Sequence, residues 1–397
     1  MFRASAWHAG TRNASLEGIR GIAIGLVIFY HAFGGAGANS VWTAPVAWLA
    51  ASSWAGVDLF FALSGFLITG ILLDTRDRPG FLRIFYMRRF LRIAPVYYSF
   101  LAALFLISRF HVKWQSMHLL WHVFYLSNVS MAMRDSGSLI SHLWSLSVEE
   151  QFYLIWPSFI LVIWRPRRTM AAIAGLFCLL VGARQWFGLF SANNYVVYGL
   201  LHLDGLLLGS ALAVFHRCFP VPRRADRIAR AVLLATGSIL AAELVQNHGL
   251  IWWQWRGLQY FNYSLIAIFG TALIALTLYT DARSGINRVL AFRPLVTLGK
   301  YSYAMYILQT PVHAELDRLQ LRPSGFGKAL AYTVLVSGIS FAGAIISWHV
   351  LEKPCLELKE RWFSYTRRTA SVPAVERLVS AMAPHEQPLS RAAAAGN

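Results

Sequence analysis

Charged residues and cysteines are scarce in this sequence. Only 14% of the 397 residues are charged and 57% are hydrophobic, whereas soluble domains carry about 25% charged residues. This composition excludes an ordinary soluble domain and predicts a helical protein that crosses a membrane several times. The three cysteines, Cys178, Cys218 and Cys355, are far apart, so they predict neither a disulfide framework nor a thiolate metal site.

Acidic residues are also few. The chain has 18 Asp and Glu against 36 Lys and Arg, which gives a net charge of +18. In a soluble protein this excess would favour a nucleic-acid partner, but here the basic residues cluster in short segments between apolar runs. Basic residues in such loops mark the cytoplasmic side of a membrane protein. We therefore expect no nucleic-acid partner, and we expect both termini in the cytoplasm.

Apolar runs near twenty residues recur along the chain and predict an all-α, polytopic fold with about ten transmembrane helices. The predicted spans are 17–34, 54–73, 93–110, 147–164, 169–186, 196–216, 228–246, 261–280, 295–313 and 329–351. A short cytoplasmic segment, 1–15, precedes the membrane domain, 16–361. The tail, 362–397, is rich in Ala, Ser, Pro and Arg, so we expect it to be disordered, basic and cytoplasmic.

The first span carries two ionisable residues, Arg20 and His31, in an otherwise apolar run. Their spacing of eleven residues places them on one helix face, about 16 Å apart. An ionisable residue in a spanning helix costs about 2.5–3.5 kcal/mol to insert, so such residues usually face the protein interior. The pair predicts a polar stripe through the membrane. Two alternatives stay open: interfacial positions for both side chains, or a signal peptide cleaved at the Ala36–Ala38 site.

The second span, GVDLFFALSGFLIT, carries Asp58 near its outer end and Ser64 near its middle. Asp58 has a predicted depth similar to that of His31, and a carboxylate beside an imidazole raises its basicity for general-base catalysis. The alternative is a structural ion pair that orients helices. Ser64 is a candidate substrate contact, although serines inside helices commonly bond the preceding turn.

The fourth span begins HLWSLSVEEQFYLIWP, so Glu149 and Glu150 enter the membrane behind His142 and Trp144. Adjacent helical residues point about 100° apart, so at most one of the two acids should face a common site squarely. A capping box from Ser147 to Glu150 is a structural alternative. We treat both acids as candidate catalytic residues, and His142 and Trp144 as candidate substrate contacts.

Arginines cluster in the inner segment FYMRRFLRIAPVYY, where Arg88, Arg89 and Arg92 precede a helix expected to start at Pro95. Guanidinium groups bind phosphate in a bidentate manner, which suits a cytosolic phosphorylated donor such as an acyl-CoA. The alternative is ordinary anchoring of the chain on the inner side.

Two histidines in an aromatic-rich outer segment, His118 and His122, have the i,i+4 spacing of zinc ligands. No acidic residue lies between them, and the neighbouring Trp and Tyr residues indicate an interfacial belt. We expect no metal site.

In order and spacing, these stretches resemble the acyltransferase-3 family from Leu16 to about Arg361. Arg20 and His31 match its R-x10-H signature, and Arg89 and Arg92 match its R-x-x-R motif; GVDLFFALSGFLIT, HLWSLSVEEQFYLIWP, LGKYSYAMYI and LEKP follow the same pattern. The resemblance implies a ten-helix membrane domain that transfers acyl groups, usually acetyl from acetyl-CoA, to hydroxyls of carbohydrates or other acceptors. Some members carry a C-terminal SGNH hydrolase-like domain, and from the length of this sequence we expect the stand-alone form.

Two positions depart from the family pattern. Gln309 stands in a stretch that often contains histidine, and His202 stands where arginine often precedes Asp204 by two residues. A role that depends on the first histidine is therefore not carried over to this chain. We treat Gln309 as a candidate substrate contact.

Together these features predict a bacterial inner-membrane O-acyltransferase that acts on a carbohydrate or glycolipid. The phosphates of an acyl-CoA, a substrate rather than a bound cofactor, would lie near the four arginines, and His31, oriented by Asp58 or Glu149, would deprotonate the acceptor hydroxyl. The competing hypotheses are a transporter of a polar solute, which the lack of an obvious internal repeat disfavours, and an inactive family member that serves as a scaffold. The sequence leaves the oligomeric state open.

Overall fold

A computed structural model describes residues 13–33, 43–111, 116–133, 140–163, 165–190, 199–249, 259–321 and 325–363. These ranges are mostly helical, with short turns between the helices, and contain no strand, which confirms the expected all-α class. The predicted segments 1–15 and 362–397 lie almost wholly outside the described residues.

The helices pack into one bundle and are numbered in chain order. They are α1 (Ala14–Phe33), α2 (Ala44–Ser52), α3 (Gly56–Thr75), α4 (Phe81–His111), α5 (Ser116–Val123), α6 (Ser127–Ala132), α7 (Trp144–Ile163), α8 (Pro166–Phe190), α9 (Asp204–Cys218), α10 (Ala225–Gln246), α11 (Gln259–Tyr279), α12 (Gly285–Leu290), α13 (Arg293–Arg318), α14 (Phe326–Ser347) and α15 (Lys353–Trp362). Short 3₁₀ turns precede α3 and α7, and a π turn, Trp348–Glu352, joins α14 to α15.

Among the described residues, eight helical segments are long and apolar enough to cross a membrane, so the chain is a multi-pass membrane protein. The predicted spans 196–216 and 295–313 are not among the eight. The first corresponds to α9, which begins only at Asp204 and has 15 residues, and the second to the more polar α13. The count of about ten therefore stays a prediction.

The expectation that a helix begins at Pro95 is wrong. α4 begins at Phe81, and Pro95 lies inside it. The arginine-rich segment is thus the first part of one long helix rather than a loop. This arrangement holds Arg88, Arg89 and Arg92 on a rigid element.

Glycines let α1 pack closely against α12 and α13. A Cβ atom on Gly18 or Gly21 would lie 1.7 or 2.1 Å from the carbonyl oxygens of Leu290 and Leu295. No side chain larger than hydrogen fits at such distances, so these contacts fix the position of α1. Gly25, by contrast, faces open space.

Glycine contacts of the same kind join α3 to α9. A Cβ atom on Gly65 would lie 2.1 Å from the carbonyl oxygen of Leu206, and one on Gly209 would lie 2.1 Å from that of Ala62. The two backbones are therefore in contact along several turns. Because α3 and α9 both carry acidic residues, this contact decides which polar side chains meet between them.

The helix directions define two ends of the bundle. We call the arginine end the part that contains Arg20, Arg88, Arg89 and Arg92, and the histidine end the part that contains His31, His142 and His313. Arg20 and His31 lie near opposite ends of the 20-residue helix α1. His142 and His313 lie within electrostatic range of His31.

Candidate active site

A cavity of about 490 Å³ lies between α1, α3, α4, α7, α13 and the junction of α14 with α15. One face of α3 lines it at positions 57, 60, 61, 64, 67 and 71, the spacing of a single helical stripe. At 1.5 Å per residue, the stripe from Val57 to Ile71 is about 21 Å long. The cavity is therefore an elongated channel, and Ser64 lies near its middle.

The four predicted donor-binding arginines all line this cavity. The side chain of Arg92 keeps accessible surface, and its charge neighbours include Arg20 and Arg89. The guanidinium of Arg20 lies 3.5 Å from the Glu17 carboxylate, and that of Arg89 lies 4.4 Å above the Tyr153 ring. The structure thus brings three guanidinium groups together at the wall of one accessible cavity.

Arg88, the fourth arginine, has a backbone partner far along the chain. Its Nη1 donates a hydrogen bond of 2.9 Å to the carbonyl oxygen of Phe363, just beyond α15. This contact ties the end of the described chain to α4. Arg88 is therefore partly engaged, although it still lines the cavity.

Ser64 and Glu149 meet in the middle of the cavity. The Ser64 hydroxyl donates a 2.7 Å hydrogen bond to Oε1 of Glu149, whereas Ser52, Ser53 and Ser210 donate to the carbonyl one turn back in their helices. The back-bonding alternative for Ser64 is therefore wrong, and its role as a substrate contact stays a prediction.

Glu149 and Glu150 both line the cavity, and Glu149 is the one that accepts the hydrogen bond from Ser64. The capping alternative for Glu150 is wrong, because α7 begins at Trp144 and the Ser147 hydroxyl donates to the carbonyl of Leu143 inside the helix.

The predicted pairing of Asp58 with His31 is wrong. Oδ1 of Asp58 lies 2.7 Å from Nε2 of His202, and both side chains are buried. The close approach of α3 and α9 places His202 opposite Asp58. The ring of Trp144 stacks on that of His202 with centroids 5.6 Å apart, so Trp144 packs against this pair and is not among the residues that line the cavity.

Beside this pair lies a second buried ion pair, which the sequence analysis missed. Nη1 and Nη2 of Arg184 donate to Oδ2 and Oδ1 of Asp204 at 2.5 and 2.9 Å, and the Ser264 hydroxyl donates to Oδ1 at 2.5 Å. Arg184 and Asp204 are fully buried. The missed signal was an arginine inside the predicted span 169–186, since such a residue needs a partner within the protein.

His31, His142 and Gln309 do not line the cavity; they belong to the histidine end. His142 is 4% exposed, and its ring centroid lies 5.6 Å from that of Tyr306. Gln309 is fully buried and donates a 2.6 Å hydrogen bond to Thr310. The assignment of Asp58 or Glu149 as the group that orients His31 is wrong, because those carboxylates bond His202 and Ser64.

His313 is a further histidine-end residue that sequence reasoning did not select. Its Nδ1 lies 2.8 Å from the Tyr332 hydroxyl, and its imidazole is a charge neighbour of His31. The signal for it was its position one helical turn after Gln309.

Comparison with known proteins gives a consistent result. A family model described as an acyltransferase domain matches residues 13–349. Among curated proteins, the peptidoglycan O-acetyltransferase OatA of Listeria monocytogenes is 30% identical over 325 residues, which cover 75% of this chain and 49% of OatA. A Bacillus subtilis protein named "Putative peptidoglycan O-acetyltransferase YrhL" is 29% identical over 88% of this chain and 56% of its own length. The chain thus spans about half the length of these relatives.

Comparison of structures adds nothing further, because no solved structure matches the chain. The matched family region begins at the first described residue and ends within the π turn. It therefore contains the cavity-lining residues of α1, α3, α4, α7 and α13 and both buried ion pairs.

Proposed function

The chain belongs to the acyltransferase family. We propose that it transfers an acyl group, most simply acetyl, from a cytosolic acyl-CoA to a hydroxyl of a cell-surface carbohydrate or glycolipid. Family membership and the names of the relatives support O-acyl transfer as the reaction. One observation carries the proposal for the donor: three guanidinium groups line an accessible channel that leads to hydroxyl and carboxylate groups inside the membrane domain.

The donor fits the channel by charge and by length. Guanidinium groups make charge-assisted, bidentate hydrogen bonds to phosphate oxygens, so the diphosphate of the donor is assigned to the arginine end. The pantetheine arm of coenzyme A has about twelve backbone bonds, equivalent to roughly four extended residues or about 14 Å. An arm of that length lies within the channel of about 21 Å.

The acceptor is assigned to the opposite end. His31 lies beyond the closed end of the channel with His142 and His313 as charge neighbours. An imidazole there can take the proton of an acceptor hydroxyl that arrives from the far side of the membrane. The role of His31 as general base thus survives as a proposal, without the partner that the sequence suggested for it.

The same assignment sets the orientation in the membrane. Acyl-CoA is a cytosolic metabolite, so the arginine end faces the cytoplasm of a bacterium and the histidine end faces outward across the inner membrane. The distribution of basic residues between the spans supports this orientation. The relatives named as peptidoglycan O-acetyltransferases support a surface glycan as the acceptor class.

The proposal is tested with the purified full chain in nanodiscs. We expect acetyl-CoA to bind in calorimetry, and cells that express the protein to carry glycans heavier by one acetyl group in mass spectrometry. His31→Ala should bind acetyl-CoA normally and transfer nothing. Absence of both binding and added mass in the wild type would overturn the enzyme proposal. Flux of a polar solute into proteoliposomes without consumption of acyl-CoA would establish the transporter alternative.

A further inference from the structure

The channel ends at a pair of hydroxyl groups, those of Ser145 on α7 and Tyr306 on α13. Both residues line the channel and both are largely buried, at 4% and 6% exposure. Their oxygens are 2.5 Å apart, and the ring of Phe60 lies against that of Tyr306 with centroids 6.3 Å apart. The closed end is therefore an apolar, aromatic wall with two hydroxyls in it.

These hydroxyls have two hydrogens and share one carbonyl acceptor. The Tyr306 hydroxyl donates to the carbonyl oxygen of His142 at 2.9 Å, and the Ser145 hydroxyl approaches the same oxygen at 3.4 Å. When Tyr306 satisfies that carbonyl, the Ser145 hydrogen is held only by the Tyr306 oxygen. It can turn toward a carbonyl in the channel without leaving any buried backbone group unpaired.

The position of the pair matches the length of the donor. From Ile71 at the arginine end to Phe60 beside Tyr306 there are eleven residues of α3, or about 16 Å. This is close to the length of about 14 Å of an extended pantetheine arm. With the diphosphate at the arginine end, the thioester reaches the level of Phe60, where Val57, Phe61 and other apolar side chains surround it.

We propose that the Ser145–Tyr306 hydroxyl pair binds the acyl carbonyl oxygen of the donor and stabilises the oxyanion that forms during transfer. This inference rests on the proposed function, since it assigns a site to the carbonyl of the same acyl-CoA. In the transfer, the acceptor oxygen bonds to the carbonyl carbon and the carbon–sulfur bond breaks. The acceptor proton passes through the general base to the departing thiolate, and both hydroxyls are regenerated unchanged.

The energetic reason is that the negative charge develops in a water-poor site. A preorganised donor aimed at an oxyanion in such surroundings is worth far more than a hydrogen bond in water. The contact strengthens as the carbonyl becomes an oxyanion, so it acts on the transfer step more than on donor binding.

The test compares Ser145→Ala and Tyr306→Phe with the wild type in nanodiscs, using steady-state transfer of acetyl. Ser145→Ala removes the hydrogen that can turn into the channel. Tyr306→Phe leaves the Ser145 hydroxyl as the side-chain donor to the His142 carbonyl, so that hydrogen is no longer free to turn. We expect kcat to fall by about 10²-fold, the usual effect of losing one oxyanion donor. The KM for acetyl-CoA should change less than about threefold, because the contact strengthens mainly in the transfer step. The affinity for free CoA should also change less than about threefold, since CoA lacks the carbonyl. Ser145→Thr, which keeps the hydroxyl, should restore most of kcat.

Tyr303→Phe is the matched control. Tyr303 lies one helical turn away on the same wall, and its hydroxyl donates to the carbonyl of Ile93 at 3.0 Å, so its only hydrogen is already committed. We expect this variant to keep kcat within about threefold of the wild type, because it removes no hydrogen that could reach the donor. A fall in kcat equal to that of Tyr306→Phe would show that loss of any hydroxyl on this wall disturbs the protein, and would overturn the assignment.

A second readout separates binding of the carbonyl from folding. A ketone analogue, in which a methylene group replaces the thioester sulfur, keeps the carbonyl but cannot transfer. The wild type should bind it more tightly than CoA, and Ser145→Ala should abolish that difference while it still binds CoA. Unchanged kcat in both variants, or an unchanged preference for the ketone, overturns this inference and leaves the proposed function standing. A wild type that binds no acyl-CoA overturns both.

Discussion

Two polar clusters in this membrane domain both contain arginine, but in one the charge is paired and buried and in the other it faces an open channel. In the closed cluster, Arg184 and Asp204 face each other in a bidentate pair, and both are fully buried. In the open cluster, Arg20, Arg89 and Arg92 are crowded around an accessible channel. A guanidinium that is matched by a carboxylate holds helices together, whereas crowded guanidiniums that face open space are suited to an anionic ligand. The following variants test this division.

The largest effect is expected at the closed cluster. Asp204→Ala leaves the buried charge of Arg184 uncompensated, which costs about 3–5 kcal/mol of stability. The melting temperature of the detergent-solubilised protein should fall sharply. Glu315→Ala is the control, because both Glu315 and its partner Arg318 are exposed and such pairs contribute little to stability. Equal losses of stability in the two variants would contradict the inference that the Arg184–Asp204 pair matters for stability because it is buried.

The next effect is expected at the open cluster and concerns binding rather than stability. Arg92→Ala removes charge-assisted hydrogen bonds to phosphate, which contribute about 1.5–3 kcal/mol, so the Kd for acetyl-CoA should rise by about 10- to 100-fold. The melting temperature should not fall. Arg168→Ala, an exposed arginine that is not among the cavity-lining residues, should leave the Kd unchanged. Calorimetry measures both, and equal weakening would indicate a non-specific charge effect.

A smaller effect is expected at Asp58, which belongs with the closed cluster. Asp58→Asn keeps the shape of the side chain but removes the charge that faces His202, so stability should fall by about 1–2 kcal/mol. The affinity for acetyl-CoA should stay as in the wild type. Complete loss of transfer in a variant with normal stability would return Asp58 to the catalytic group and would contradict its structural assignment.

The smallest effect is expected at Arg88, which lines the channel like the open cluster but also makes a structural hydrogen bond. Arg88→Ala removes the hydrogen bond to the Phe363 carbonyl, which contributes about 0.5–1.5 kcal/mol at most in a partly exposed position. Limited proteolysis should cut more quickly near α15, while the Kd for acetyl-CoA should change less than in Arg92→Ala. A larger loss of affinity in Arg88→Ala than in Arg92→Ala would indicate that the phosphates bind nearer to Arg88 than to Arg92.

Much of the candidate site was visible in the sequence. An ionisable residue in an apolar run must be accommodated inside the protein, so Arg20, Glu149 and Glu150 indicate a polar interior. The arginine spacing around Arg89 likewise indicated a basic face. These inferences depend only on the local pattern, and the structure brings these residues to one cavity.

The partners of those residues were not visible. Asp58 was expected to meet His31 because the two had similar depths, yet depth says nothing about which helix is adjacent. The contact between Gly65 on α3 and the backbone of α9 selects His202 instead. Ser145 and Tyr306 are ordinary in the sequence and become a site only where α7 meets α13.

The sequence by itself therefore determined the helical class, the membrane environment and the presence of a basic, acid-containing interior, because hydropathy and helical periodicity are properties of neighbouring residues. The tertiary structure decided which charges are matched and buried and which face an open channel. That decision depends on how closely helix backbones approach, since a few ångströms at a glycine contact determine whether an arginine meets a carboxylate or faces open space. Helix packing therefore determines which charged residues stabilise the fold and which are available to a ligand.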